Sequence, residues 1–429
     1  MPASPERRAA LIAAICFSLT LVSGFGQTFF IALFGDDIRA CFDLSDGGFG
    51  MIYSAATLAS GVLMIWVGAV VDRVSFRRYS IAAALILAVA AALFATAGHV
   101  LVLALAIFGL RLGGQGMMSH AAQVGVARAF SGARGRALGL ANLGHPAGEA
   151  AFPAIAVALV AVTGWQNLWL GIAVTALAVA LVYARMVPAG LRDHHTEAMP
   201  PSAAGPASSA DDPSKQPAQT PDAGRAQARA LARDWSRGEV LRDRRFYLLL
   251  PALMGPGFVS TGIFFHQLPL IQEKGWPLSL YASAFVAFAI GVSVSMIGSG
   301  ALVDRFGARV MMRGYLLPWA AACLMIAFLD ARWSAFAFMA LAGISQGAAA
   351  TTVTAMWAET YGVTHLGSIR AMATAIMVVS TAIAPGLLGT LLDAGVGFAA
   401  IATGCALYLA AASVLAGLAL ARARGSVQA

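Results

Sequence analysis

Twelve hydrophobic runs divide this sequence, and each is long enough to cross a lipid bilayer as a helix. About 20 residues, rising 1.5 Å each, are needed to cross roughly 30 Å of hydrocarbon. Such a span is helical because the hydrocarbon holds no water to satisfy free backbone groups. The composition agrees: 59% of the 429 residues are hydrophobic and 11% are charged, whereas a soluble domain is about a quarter charged. The sequence therefore predicts an all-α polytopic membrane protein with 12 transmembrane helices.

The basic residues are distributed unevenly, and the formal net charge is +8. Arg39, Lys274 and Arg332 fall in the loops after odd-numbered runs, and Arg111 lies inside a run. The other 24 of the 28 Lys and Arg residues fall at the termini or in the loops after even-numbered runs. This is the positive-inside pattern, which predicts a multi-pass protein of a bacterial-type inner membrane with both termini in the cytoplasm. The basic excess thus points to anionic lipid as a partner and not to nucleic acid.

The sequence repeats itself. "GAVVDRVSFRR" at 68–78 follows the second hydrophobic run, and "GALVDRFGARV" at 300–310 follows the eighth. Internal repeats of this kind build transporters from two similar halves that face a central site. We therefore predict an N-terminal six-helix half over 1–186 and a C-terminal six-helix half over 244–429.

A cytoplasmic linker is predicted between the halves, over 187–243. It is rich in Pro, Ala, Ser and Gly, a composition typical of disordered segments. Near its end, Leu231 and Trp235 share one helical face among several arginines. That part either forms an amphipathic helix on the inner membrane surface or is a solvated basic linker.

The repeated segment resembles the loop after the second helix in the major facilitator superfamily, which reads roughly Gly-x-Leu-Ala-Asp-Arg-x-Gly-Arg-Lys. In the first copy Gly68, Asp72, Arg73 and Arg77 fit, while Ser75 and Phe76 depart, and the second copy keeps Gly300, Asp304, Arg305, Gly307 and Arg309. Twelve runs in a six-plus-six arrangement extend the resemblance over the whole chain. It implies the major facilitator fold of two pseudo-symmetric halves, secondary active transport, a monomer, and no enzymatic activity or cofactor.

The same resemblance implies that the loop motif is a conformational latch. A carboxylate at a helix end is stabilised near a helix N-terminus and near arginines, and a glycine permits close approach of helices. Asp72 and Asp304 are then expected to hold the halves together while the cytoplasmic side is closed. The alternative is that these charges only set the topology, although acidic residues contribute little to orientation.

Three ionisable residues lie deep inside the hydrophobic runs: Arg111, His145 and Glu149. The rise per residue places Arg111 about 24 Å and Glu149 about 21 Å from the cytoplasmic ends of their helices, so an ion pair between them is geometrically possible. His145 and Glu149 are four apart and share a helical face, while Gly144 and Gly148 form a GxxxG that lets another helix pack closely. We interpret the three as proton-coupling candidates; a purely structural pair is the alternative.

Further polar residues fall in the helices that line the substrate path in the resembling family, which are the first, fourth, seventh and tenth. The substrate-cavity candidates are Gln27, Thr28, Gln115, His266, Gln267 and Gln346. Aromatic residues on the same helices mostly serve packing or contact lipid.

The leading functional hypothesis is a proton-coupled secondary transporter of a small organic solute, with a monocarboxylate-like organic anion as one substrate class. "FSGARGRALGLANLGHPAG" at the fifth helix resembles the monocarboxylate and oxalate–formate porters, while "DGGFG" at 46–50 matches their aspartate–glycine signature in the wrong helix and is not counted. If Glu149 neutralises Arg111, a proton-driven efflux pump for neutral or amphiphilic compounds fits equally well. A transporter-like sensor is a remote alternative.

The four cysteines show no metal-binding spacing, and no ATPase, metalloprotease or hydrolase motif indicates an enzyme.

The linker composition generates the first prediction. Deleting residues 197–224 removes a segment without hydrophobic periodicity, so both the amount of protein inserted in the membrane and its solute flux should remain near wild-type levels. Quantitative immunoblotting and vesicle flux measure the two quantities. Loss of flux at normal expression would contradict the prediction.

Overall fold

The computed structural model describes residues 5–129, 134–187, 234–362 and 364–421. Nearly all of these residues are helical, and no strand occurs among them. Most of the predicted linker lies outside the described residues, and so does Leu231.

The N-terminal half contributes six spans, α1 to α6. The span α1 comprises Pro5–Val22, Ser23–Gly26, Thr28–Ile31, Ala32–Phe34 and Gly35–Phe42; it is followed by α2 (Asp46–Val70), α3 (Phe76–Thr96), α4 (Val100–Ala129), α5 (Arg134–Asn142 and Gly144–Thr163) and α6 (Trp165–Met186). Two of these spans are irregular. The axis of α1 bends by 44° near Gln27, and the centre of α4 is a π-helix over Arg111–Met118.

The C-terminal half repeats the arrangement with α7 to α12. They are α7 (Arg244–Phe265, extended by Gln267–Lys274), α8 (Leu278–Phe306), α9 (Leu317–Phe328), α10 (Trp333–Tyr361), α11 (Leu366–Asp393) and α12 (Phe398–Ala421). Short helices Arg237–Val240 and Ala308–Met311 precede α7 and α9. Within the described ranges, ten spans are long and apolar enough to cross a membrane, the bent α1 makes an eleventh, and α9 is a shorter apolar helix. The predicted all-α architecture of twelve helices in two halves is confirmed.

Local sequence explains where the spans begin and end. Ser45, Ser75 and Asp243 cap the N-termini of α2, α3 and α7 by accepting hydrogen bonds from backbone N–H groups. Ser75 is one of the two departures from the family motif, and capping gives it a role there. Between α5 and α6, Gly164 takes φ +77°, and Gly307 takes φ +82° after α8, conformations that favour glycine.

Both halves share the same two ends, which we name by what lies there. The linker face is the end where α2 meets α3 and where residues 234–243 lie; the opposite face is the end where α1 meets α2. Within the halves, α3 packs against α6 and α9 against α12. Between the halves, α2 packs against α11 and α5 against α8, so these four spans surround the central region of the molecule.

The described end of the linker is attached to the C-terminal half. The backbone N–H of Trp235 donates to the Tyr361 carbonyl at 3.0 Å. The two aromatic rings contact edge to face, with their centroids 5.6 Å apart. Asp234 accepts from the backbone N–H of Thr364 at 3.2 Å. Ser236 begins the helix Arg237–Val240 with a capping box. Trp235 therefore packs against the end of α10, next to the start of α11.

Candidate functional site

The break in α1 is the centre of the candidate site. Its sequence "SGFGQ" contains Gly24 and Gly26, and glycine is a weak helix former. Gln27 is extended, with φ −89° and ψ 154°, so the α-helical hydrogen bonds stop there. A carbonyl oxygen left free inside a membrane protein needs another donor. Arg111 supplies it, because its Nη1 donates to the Gly26 carbonyl at 3.2 Å.

Arg111 has further partners around the same break. Its Nη1 also donates to Thr28 Oγ1 at 3.3 Å, and its guanidinium lies 5.4 Å from the centre of the Tyr53 ring. The Tyr53 hydroxyl donates to Thr28 Oγ1 at 2.8 Å. Arg111 is only 2% exposed, and its Nε has no hydrogen-bond partner within the part of the chain that the structure describes. A cation thus sits between α1, α2 and α4.

Glycines bring α4 close enough for this contact. A Cβ at Gly114 would lie 2.8 Å from the Cα of Gly26, and a Cβ at Gly113 would lie 3.0 Å from the backbone N of Leu87 on α3. The π-helical turn contains both glycines. Such turns are rare and frequently found at functional sites.

The pair predicted on α5 lies beside the α1 break, but it does not join Arg111. His145 Nδ1 lies 3.3 Å from Ser23 Oγ. Glu149 is half-buried and forms neither a hydrogen bond nor an ion pair with any described residue. Of the described carboxylates, none forms an ion pair with Arg111. The Arg111–Glu149 pair that the helix geometry allows is therefore not formed in this structure.

The GxxxG spacing on α5 works as the sequence predicts. A Cβ at Gly144 would collide with Thr20 Oγ1, and a Cβ at Gly148 would lie 3.2 Å from the Leu21 carbonyl oxygen. Both glycines therefore place α5 directly against α1.

The remaining cavity candidates fall into two groups. Gln27, Gln115 and Gln346 are half-buried, and none of their side chains forms a hydrogen bond within the described ranges. His266 and Gln267, by contrast, are buried at the end of α7 and contact other helices. His266 Nε2 lies 2.8 Å from the Pro385 carbonyl, and Gln267 Nε2 donates to the Phe29 carbonyl at 3.0 Å. In this conformation they belong to the closed opposite face.

Close contact between α2 and α11 closes that face. Gly50 lies against the Pro385 carbonyl, and a Cβ at Gly389 would lie 2.6 Å from the Asp46 carbonyl. Asp393 accepts from the Ser45 hydroxyl at 2.8 Å and from the Gly47 N–H at 3.0 Å. Nearer the middle of the spans, a Cβ at Gly61 would lie 2.7 Å from Val378. The segment "DGGFG" at 46–50, which is not counted as a porter signature, forms the α2 side of this contact.

Comparison with known proteins assigns the family. A protein-family model described as Major Facilitator Superfamily matches residues 16–300 and 267–427. The chain belongs to the major facilitator superfamily. It is accordingly a multi-pass membrane protein that moves a small solute by secondary transport, and it is not an enzyme.

Solved structures agree with this membership of the superfamily. A bacterial homolog of the human lysosomal transporter Spinster, inward-facing and unoccupied, has a TM-score of 0.66 at 15% identity and covers 98% of both chains. The nucleoside transporter NupG has a TM-score of 0.63 at 12% identity, covering 97% of this chain and 99% of its own. Identities this low show the fold alone.

One curated relative matches a short stretch. The protein named probable anion transporter 4, chloroplastic, of Arabidopsis thaliana is 30% identical over 83 residues. The match spans 19% of this chain and 16% of that protein's length.

The two copies of the superfamily loop motif are tied within their own halves. In the first copy Arg128 donates to Asp72 at 3.2 Å and to the Val71 carbonyl at 3.1 Å, and Arg77 donates to the Ala184 carbonyl. His120 Nε2 donates to the Gly68 carbonyl at 3.2 Å. Arg73 is exposed.

In the second copy, the loop after α8 is held by Glu359, a residue that the sequence did not single out. Glu359 of α10 accepts from the Ala308 N–H at 3.0 Å, and Arg309 donates to its backbone carbonyl at 3.0 Å. Arg305 lies over the Phe306 ring, and Asp304 is exposed on α8. Among the described residues, no heavy atom lies within 4 Å of a Cβ built at Gly300. Glu359 lies at the end of an apolar run, and that position is the signal that could have identified it.

The contacts of Arg111 generate the second prediction. Arg111→Ala leaves the Gly26 carbonyl buried without its donor, so it should lower the free energy of unfolding by about 1–3 kcal/mol. Arg111→Lys keeps the positive charge and an ammonium group that can donate to the Gly26 carbonyl, so its free energy of unfolding should fall by less. Thermal unfolding in detergent measures the order of stability among these proteins. The control is Arg242→Ala at an exposed position, whose free energy of unfolding should lie within about 0.5 kcal/mol of wild type. Equal stability of Arg111→Ala and wild type would show that the break does not need this contact.

Proposed function

We propose that this transporter couples the movement of a small organic anion to protons and that Glu149 carries the coupling proton. The observation that carries the proposal is the isolation of Glu149, which has no ion-pair partner among the described residues although it lies inside a span. A charged carboxylate at the bilayer centre costs at least about 2.5–3.5 kcal/mol, so such residues are usually paired or functional.

An unpaired carboxyl at this depth suits proton exchange. In a dry surrounding it is favoured as the neutral acid, and when water enters it can ionise. His145 lies one helical turn before Glu149 and contacts Ser23 at the α1 break. A proton leaving Glu149 therefore has a second basic group on the same helical face. Movement of α1 or α5 during the transport cycle would change the surroundings of both groups.

Arg111 supports an anionic substrate. The alternative of a neutral or amphiphilic substrate was tied to neutralisation of Arg111 by Glu149, and these two residues do not pair here. The positive charge of Arg111 is instead held by neutral groups, the Gly26 carbonyl and Thr28, and by the Tyr53 ring. An arginine that pairs with none of the described carboxylates gives the centre of the protein a positive potential, which attracts an anion such as a carboxylate.

Both faces can be assigned to compartments on this proposal. The linker face carries the concentration of arginines, and the positive-inside pattern supports the proposal that this face lies on the cytoplasmic side of a bacterial inner membrane. The opposite face then borders the external side. One protomer holds both halves and all the proposed groups, so a monomer is sufficient.

The third prediction tests Glu149. Glu149→Gln keeps the shape of the side chain but fixes it in a neutral state, so accumulation of an organic acid driven by an imposed pH gradient should fall by at least tenfold. Exchange of labelled for unlabelled substrate needs no net proton movement and should survive. Proteoliposome flux with labelled monocarboxylates and dicarboxylates measures both.

The matched control is Asp330→Asn, which neutralises an exposed carboxylate in the loop before α10. It should retain gradient-driven accumulation. A Glu149→Gln protein that accumulates substrate as well as this control would exclude Glu149 as the proton carrier. Flux of neutral amphiphiles, with no flux of any organic acid, would instead favour the efflux alternative.

The latch at the linker face is the second part of the proposal. In the state with a closed cytoplasmic side, Asp72 and Asp304 are proposed to hold the two halves together. Asp72 is 76% exposed on its side chain and bound to Arg128, so it is available for a second partner when the halves approach. No described residue fills the space beside Gly300, which would therefore admit a helix of the other half.

The fourth prediction tests the latch by labelling. Asp72→Asn should raise the rate at which Ala371→Cys reacts with a charged thiol reagent from the linker side, by several-fold. Ala371 is exposed and lies two turns before Val378, which contacts Gly61 of α2. The background carries Cys41→Ser, because Cys41 is exposed. Asp43→Asn, at an exposed turn of the opposite face, is the control; equal rates in both variants would reduce Asp72 to a topology signal.

A further inference from the structure

The opposite face contains an ionisable cluster that the proposed function does not use. It is formed by His266 of α7, Asp46 at the start of α2 and Arg39 near the end of α1. His266 Nδ1 lies 3.7 Å from Asp46 Oδ1, and Asp46 also pairs with Arg39. His266 is 2% exposed. The cluster joins the two halves, because Asp46 and Arg39 belong to the N-terminal half and His266 to the C-terminal half.

The imidazole of His266 has two polar contacts, a hydrogen bond to Pro385 and a longer contact with Asp46, and together they favour one protonation state. The Pro385 carbonyl oxygen can only accept, so His266 Nε2, at 2.8 Å from it, must carry a hydrogen. A neutral imidazole has one N–H, so its Nδ1 would then direct a lone pair toward the Asp46 carboxylate. Two acceptors facing each other repel. A protonated imidazole carries a positive charge and a hydrogen on both nitrogens, which turns the 3.7 Å contact with Asp46 into an ionic attraction.

We propose that His266 and Asp46 form a proton-binding lock, in which a proton taken up by the imidazole holds the opposite face closed. Protonation of His266 stabilises the contact of α7 with α2 and leaves its contact with α11 in place. Loss of the proton removes the attraction to Asp46. The closed opposite face is thus favoured at low pH, and this preference is lost as the pH rises and the imidazole gives up its proton.

The charged groups near the lock come from three elements. Asp46 is on α2, and Arg39 on α1 balances part of its charge. Asp36 also pairs with Arg39 and accepts from Gln272 of the C-terminal half at 2.8 Å. Asp393 of α11 binds the N-terminus of α2 through Ser45 and Gly47. Of the described carboxylates, Asp46 alone lies within ion-pair distance of the imidazole.

The packing around the lock makes it able to move the halves. The Phe265 ring lies 4.6 Å from the Tyr53 ring and 4.9 Å from the Phe49 ring, so α7 and α2 meet directly below the imidazole. Gly50 packs against the same Pro385 carbonyl that His266 contacts. Opening this face must separate Asp46 from His266 and break the contact of α2 with α11. The protonation state of one side chain therefore affects the main contact between the halves.

A distance measurement tests the lock without substrate and without a pH gradient. Spin labels are placed on Cys41, which is exposed at the end of α1, and on Ala331→Cys, in the exposed loop before α10. The other three cysteines are buried. The distance between the two labels across the opposite face is measured by double electron–electron resonance in phosphatidylethanolamine–phosphatidylglycerol nanodiscs. The measurement is repeated at several values between about pH 5 and about pH 8.

At the low end of this pH range we expect a single short distance between the labels. A second, longer distance should appear as the pH rises, and its population should grow. The ratio of closed to open protein should fall on the order of tenfold, which corresponds to ~1.4 kcal/mol. His266→Gln keeps a donor for Pro385 but cannot be protonated, so its ratio should not depend on pH. Asp46→Asn should also lose the dependence, because the proton then gains no partner.

Controls separate the lock from other effects. His99→Asn changes an exposed histidine of the same face, and the asparagine Oδ1 can replace the ring Nδ1 that accepts from the Leu101 N–H, so this variant should respond to pH like wild type. Asp36→Asn removes a carboxylate that contacts Arg39 but not His266; it should change the closed fraction and keep the pH response. Glu149→Gln should also keep the response, since the lock does not depend on the role proposed for Glu149.

Two results would overturn the lock. One is a wild-type distance distribution that stays the same across the whole pH range. The other is a pH response that persists in both His266→Gln and Asp46→Asn or that disappears in Glu149→Gln instead. Should His266→Gln not reconstitute, the comparison of Asp46→Asn with Asp36→Asn decides alone, because these two variants remove neighbouring carboxylates that differ in their contact with the imidazole.

Discussion

The hydrogen bond from Arg111 to the Gly26 carbonyl is the interaction on which the centre of this transporter depends. A helix that stops inside hydrocarbon leaves backbone groups without partners, and each such group costs several kcal/mol. Glycines in "SGFGQ" allow α1 to stop, and glycines in the π-helical turn of α4 bring Arg111 to the break. The irregular backbone and the buried cation therefore require each other, and either alone would be unfavourable.

The two faces of the molecule are held together by different means. At the opposite face, α2 and α11 meet through glycines and carbonyl groups, with the carboxylates of Asp46 and Asp393 at helix ends. At the linker face, the described motif contacts stay within one half, where Arg128 holds Asp72 and Glu359 holds the loop after α8. Backbone packing tolerates few substitutions, whereas charged contacts can be exchanged between partners as the halves move.

Sequence alone predicted the spans, the two halves and the close packing of another helix on α5, because hydrophobic length, repeats and GxxxG spacing are local patterns. That this other helix is α1 follows only from the structure. Sequence alone did not predict that "DGGFG" is an interface, since its partner Pro385 lies more than 300 residues away. Nor did it place His266 and Gln267, which it assigned to the cavity by helix number. Which end of a span a polar residue reaches follows from counting, but what it contacts depends on the conformation of both halves.

The missing Arg111–Glu149 pair shows why depth is not enough to predict a contact. The rise per residue gives the level of a side chain, but its direction depends on the rotation of the helix, which packing sets. Gly144 and Gly148 face α1, and a Cβ at Gly144 would collide with Thr20 Oγ1. Successive residues turn by about 100° around a helix, so His145 and Glu149 point to the side of that contact and not into it. Arg111 faces the break in α1 from α4. Although the two groups lie at a similar level, they do not pair in this structure, and the proposed role of Glu149 as proton carrier rests on this separation.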